Sequence, residues 1–86
     1  MTKTVVITGA SSGIGYACVE AGCKKGYQVI ATVRKDDDLA ILEKLGAQTV
    51  KLELLDKDSV SAAAQDILRL SNQHIDCLFN NAGYGL

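Results

Sequence analysis

The chain has 86 residues, of which 48% are hydrophobic and 22% charged, with a formal net charge of -1. That length holds a single domain and buries only about 60 to 65% of the surface exposed by the unfolded form. The mixture argues against disorder, and the charge supplies no broad basic surface for a nucleic-acid backbone.

The opening run, Met1 to Ile7, is far too short to span a bilayer and is followed by no signal-peptide cleavage pattern. A cytoplasmic protein is expected. Three cysteines without Cys-x-x-Cys spacing suggest neither a disulfide framework nor a zinc site. Cys18 and Cys23 fall about 140° apart around a helix, as buried apolar side chains in a reducing compartment.

Strand-like and helix-like patterns alternate along the chain, the signature of parallel strands joined by crossover helices. Thr4 to Thr8 is β-branched throughout, as a strand buried on both faces should be. The segment Gly13 to Lys25 reads as a helix, with Ile14, Ala17, Cys18 and Ala21 at helical spacing and Gly26 as its stop. Tyr27 to Val33 is the second strand. Asp36 to Leu45 follows as a helix with an acidic first turn, an apolar face of Leu39, Leu42 and Leu45, and Gly46 after it.

Thr49 to Leu52 is a short third strand. Asp56 is placed to cap a helix running to Leu70, with Val60, Ala64, Ile67 and Leu68 on its apolar face. Ile75 to Asn80 is the fourth strand. No repeat, linker, low-complexity tract or proline marks a domain boundary within residues 1–86.

The segment with most chemical content is Thr8-Gly9-Ala10-Ser11-Ser12-Gly13-Ile14-Gly15, lying between the first strand and first helix. Gly9, Gly13 and Gly15 let the backbone turn tightly and approach a diphosphate with no side chain intervening. Amides at the helix start, aided by its dipole, then face the phosphates. Glycines near a turn are by themselves weak evidence. The strand before, the helix after and a second strand ending at the usual distance make nucleotide binding the expectation.

The spacing T-G-x-x-x-G-x-G, together with Asn80-Asn81-Ala82-Gly83 after the fourth strand, resembles the short-chain dehydrogenase/reductase family over the full length of the chain. The segment of two asparagines also speaks against another Rossmann-like binder such as a methyltransferase half. The resemblance implies a Rossmann-like α/β fold: a parallel sheet of four strands ordered 3-2-1-4, helices on both faces, and the cofactor over the strands' carboxyl ends. Such a sheet is the truncated half of a doubly wound fold.

In family terms, Gly9, Ser11, Ser12, Gly13, Ile14 and Gly15 contact the cofactor. NAD-preferring members carry an acidic residue where this sequence has Val33. Arg34 and Lys35 follow it, so the resemblance implies NADP rather than NAD, with Arg34 on the 2′-phosphate and Ser11 or Ser12 adding a hydroxyl. The alternative is that Arg34 and Lys35 are solvated charges or partners of Asp36, Asp37 and Asp38.

Glu53 and Leu54 fall where the family holds the adenine, though Glu53 is equally readable as surface charge. Asn80 would brace the fourth strand, and Asn81, Ala82 and Gly83 would lie along the adenosine ribose and phosphates. Two adjacent amides followed by small residues are also ordinary turn chemistry.

The family's catalytic tyrosine is followed four residues later by a lysine that lowers its pKa, and a serine orients the substrate. No Tyr-x-x-x-Lys occurs here: Glu20 follows Tyr16, Ala31 follows Tyr27, and Tyr84 is two residues from Leu86. No catalytic residue is therefore expected, and His74, beside an apolar strand, reads as a loop residue. The expected function is the NADP(H)-binding portion of a hydride-transferring enzyme. The alternative is an incomplete chain that binds nucleotide, or pairs through the exposed sheet edge, without turnover.

Overall fold

The computed structural model describes residues 2–10, 13–53 and 55–80. Seven elements alternate in chain order: β1 (Thr4–Thr8), α1 (Gly13–Lys24), β2 (Gln28–Val33), α2 (Asp36–Lys44), β3 (Gln48–Lys51), α3 (Lys57–Leu70) and β4 (Cys77–Asn80). The strands form one four-stranded parallel sheet in the order β3-β2-β1-β4, as the resemblance implied. This is a Rossmann-like α/β fold.

Alternation along the strands sends side chains to two separate cores. Ile7, Val29, Ala31 and Val33 pack with Val19 of α1 and Leu42 of α2. Val6, Ile30 and Val50 pack with Ala63 of α3 on the opposite face. β1 and β2 thus require apolar residues at consecutive positions, which explains their β-branched runs.

The inward face of α1 differs from expectation. Gly15, Val19 and Gly22 are buried, while Ala17 and Ala21 are exposed and Ile14 is 69% exposed. Only Cys18 of the expected set packs partly against the core. The cause is closeness of approach: with glycine at two of the three contact positions, the helix backbone settles onto β2 and the bulkier apolar residues turn outward.

α3 is rotated similarly. Ala63 is its buried residue and Ile67 and Leu70 pack partly beneath it, whereas Val60 and Leu68 are 39% and 48% exposed. Its start is as expected: Asp56 Oδ1 accepts from the amides of Asp58 at 2.9 Å and Ser59 at 3.3 Å. Leu39, Leu42 and Leu45 of the α2 segment all contribute to the core.

Strand boundaries shift slightly for local reasons. Tyr27 donates its amide to Gly22 O, which ties it to the end of α1, so β2 begins at Gln28. β4 begins two residues later than expected, because Asp76 engages Thr4 through its side chain as well as its backbone. Thr4 N donates to Asp76 Oδ2 at 2.7 Å and Asp76 N donates to Thr4 O at 2.9 Å. β4 pairs with β1 alone among the described strands and carries Leu78, 63% exposed. Among the described residues no helix is long and apolar enough to cross a membrane.

Candidate functional site

Because all four strands are parallel, their carboxyl ends lie along one edge, and the loops after β1, β2 and β3 converge there. Gly9 and Gly13 adopt left-handed backbone with φ of 63° and 64°. A side chain at either position would strain the turn. A Cβ placed on Gly13 meets no described atom within 4 Å. Gly15, one half-turn on, is buried against the sheet, and Ile14 projects outward.

The start of the turn is fastened to β2. Gly9 N donates to the Thr32 hydroxyl at 3.2 Å, and Ala10 N donates to the Thr32 carbonyl at 3.0 Å. Ala10 and Thr32 are fully buried. On the other side the Thr8 hydroxyl donates to Asn80 Oδ1 at 2.9 Å, joining the carboxyl ends of β1 and β4. Thr32 was not singled out by the sequence pattern, since a threonine in a β-branched run reads as strand propensity alone.

At the end of β2, Val33 is 2% exposed and belongs to the core, while Arg34 and Lys35 are exposed. Among the described residues neither cation forms an ion pair. Asp36, one of the anions expected to compete for them, instead pairs with Lys51 at 3.1 Å. Lys35 is the N-cap residue of α2 and makes no side-chain capping bond.

Glu53 is half-buried in the loop after β3. Its amide donates to Ser59 Oγ at 2.9 Å, and its Oε1 accepts from Leu55 N at 3.3 Å. The carboxylate is therefore engaged within its own loop. Gly9, Gly13, Ile14, Gly15, Arg34, Lys35 and Glu53 all fall at the carboxyl edge; Ser11, Ser12, Leu54, Asn81, Ala82 and Gly83 lie outside the described residues.

His74 sits at the opposite, amino-terminal edge, with its Nε2 3.0 Å from Asp76 Oδ1. The Thr4 amide holds the Asp76 carboxyl below its ordinary pKa, and His74 adds to the effect. Burial raises the Cys23 thiol pKa.

The family model for short chain dehydrogenase matches residues 3–85. The chain belongs to the short-chain dehydrogenase family. This short-chain dehydrogenase sequence is 45% identical over 84 residues to an uncharacterized oxidoreductase of Schizosaccharomyces pombe, covering 98% of the chain and 28% of that relative. It is 42% identical over 82 residues to an NADPH-dependent 1-acyldihydroxyacetone phosphate reductase of the same organism, covering 94% and 28%.

A solved short-chain dehydrogenase from Streptomyces avermitilis superposes with a TM-score of 0.84 at 35% identity, over 96% of this chain and 31% of that one. The chain thus spans less than a third of each of these three proteins. Short-chain dehydrogenases bind nicotinamide cofactors.

Proposed function

We propose that residues 1–86 form the NADP(H)-binding half-domain of a short-chain dehydrogenase/reductase whose parent activity is hydride transfer between NADP(H) and a carbonyl or alcohol. The observation that carries the cofactor choice is the pair at the end of β2. Val33 is buried and apolar where a ribose-binding carboxylate would stand, and Arg34 is exposed without an ion pair among the described residues. The relative named as an NADPH-dependent reductase agrees with this choice.

The cofactor's diphosphate would lie at the start of α1, where Gly13 has left-handed backbone and no described atom stands within 4 Å of a Cβ placed on it. Gly9, Gly13 and Gly15 would let backbone amides hold that group at the start of α1, with Ser11, Ser12 and Ile14 also against the cofactor. Arg34, with Lys35 beside it, would take the 2′-phosphate through its planar donors. Glu53 and Leu54 would border the adenine, and Asn81, Ala82 and Gly83 the ribose. The nicotinamide of the bound cofactor supplies or accepts the hydride.

A second reading is that residues 1–86 bind nucleotide without turnover of their own, since no Tyr-x-x-x-Lys occurs among them. Carbonyl reduction assayed beside binding separates the two. The fitting compartment is the cytoplasm, where Cys18, Cys23 and Cys77, all free thiols, stay reduced.

Titration of Arg34→Ala tests the cofactor assignment. NADPH affinity is expected to fall by about 10- to 150-fold while NADH affinity changes little. Equal loss for both cofactors would remove Arg34 from the 2′-phosphate.

A further inference from the structure

We propose that Thr32 is a positioning residue for the dinucleotide, fastening the glycine turn to β2 so that the diphosphate hollow and Arg34 keep one fixed relation. The proposal rests on the NADP(H) reading above. Thr32 is 1% exposed, and both its hydroxyl and its carbonyl are committed to the turn.

The paired register of β1 with β2 runs from Thr4↔Gln28 to Ile7↔Ala31. Beyond that point the ladder no longer holds the chain that leads into the turn. Gly9 and Ala10 are nevertheless tied to β2, through the hydroxyl and carbonyl of one residue. On its other side Thr32 is in register with Val50 of β3. One buried residue thus links three segments of the carboxyl edge, two positions before Arg34.

The hydroxyl does what strand pairing cannot. A part-buried amide still needs an acceptor, and Gly9, at φ 63°, donates its N–H to the side chain of Thr32 in β2 rather than along a ladder. Valine has nearly the same shape as threonine and would fill the site without offering that acceptor. Serine keeps the acceptor and loses only a methyl group.

The consequence for binding differs from that of the exposed cation. The diphosphate is common to both cofactors, so loosening the turn weakens both alike. The 2′-phosphate belongs to one, so loss of Arg34 acts on that one alone.

The test titrates NADPH and NADH against the full chain as wild type, Thr32→Val and Thr32→Ser, with amide hydrogen exchange followed on each. Thr32→Val is expected to lower affinity for both cofactors by a similar factor of about tenfold. Exchange at Gly9 and Ala10 should quicken while Ile30 and Ala31 stay protected, and Thr32→Ser should bind within about twofold of wild type.

Wild-type affinity in Thr32→Val, a loss confined to NADPH, or a collapse of protection throughout β2 would each overturn the positioning role. Failure of the wild type to bind either dinucleotide would instead overturn the underlying NADP(H) reading.

Discussion

Gly22 and Val29 approach so closely that a Cβ on Gly22 would lie 2.8 Å from Val29 Cγ2. Val29 is 1% exposed and β-branched, so it has no room to swing aside. Gly22→Ala therefore sets better helix propensity, worth about 1 kcal/mol, against overpacking of about 1 to 3 kcal/mol. A net loss of about 1 kcal/mol is expected, read as a lower midpoint in urea. A higher midpoint would mean that α1 can rise off the sheet freely.

Gln28 gathers three segments at the amino-terminal edge. Its Oε1 accepts from the Thr4 hydroxyl at 2.8 Å, and its Nε2 donates to Gln48 Oε1 and to Leu70 O, both at 2.7 Å. Gln28→Leu keeps the volume but leaves the Thr4 hydroxyl and the Leu70 carbonyl without their partner. A loss of about 1 to 3 kcal/mol is expected in equilibrium unfolding. A double-mutant cycle with Gln48→Ala should show coupling, since the two amides share a bond.

Asp76 makes stability depend on acid. The Thr4 amide donates to its carboxylate, His74 lies beside it, and its pKa falls below the ordinary 3.8. The folded state thus favours the ionised form. That contribution is fully present above the unfolded pKa and disappears as pH falls through the lowered folded value. Unfolding free energies measured from neutral pH down to about pH 3 should fall less steeply in Asp76→Asn than in wild type. Parallel curves would show that Asp76 carries no share of the acid dependence.

The sheet was legible because two of its strands are largely buried on both faces and so carry runs of apolar and β-branched residues, at Thr4 to Thr8 and within Gln28 to Val33. The glycine turn was legible because its chemistry needs glycine at positions that also show left-handed backbone, Gly9 and Gly13. The faces of α1 and α3 were not. Counting apolar residues around a helix finds the greasiest stripe, but contact with the sheet selects the smallest one, here Gly15, Val19 and Gly22 in α1 and Ala63 in α3.

Arg34 was readable as a candidate from its place after Val33, whereas its having no ion pair among the described residues depended on where Asp36 finds Lys51. Thr32 was invisible as a partner of the turn, because nothing in a one-dimensional pattern tells which side of β2 faces Gly9.

β1 has β2 on one flank and β4 on the other, and the bond from Thr4 to Asp76 joins positions 72 apart. On the ribosome, β1 can meet β2 as soon as Val33 has emerged, yet its other flank must wait for residues 77–80. The nascent chain therefore carries a half-covered first strand until residues 77–80 emerge, and closing that long seam costs more loop entropy than joining β1 to β2.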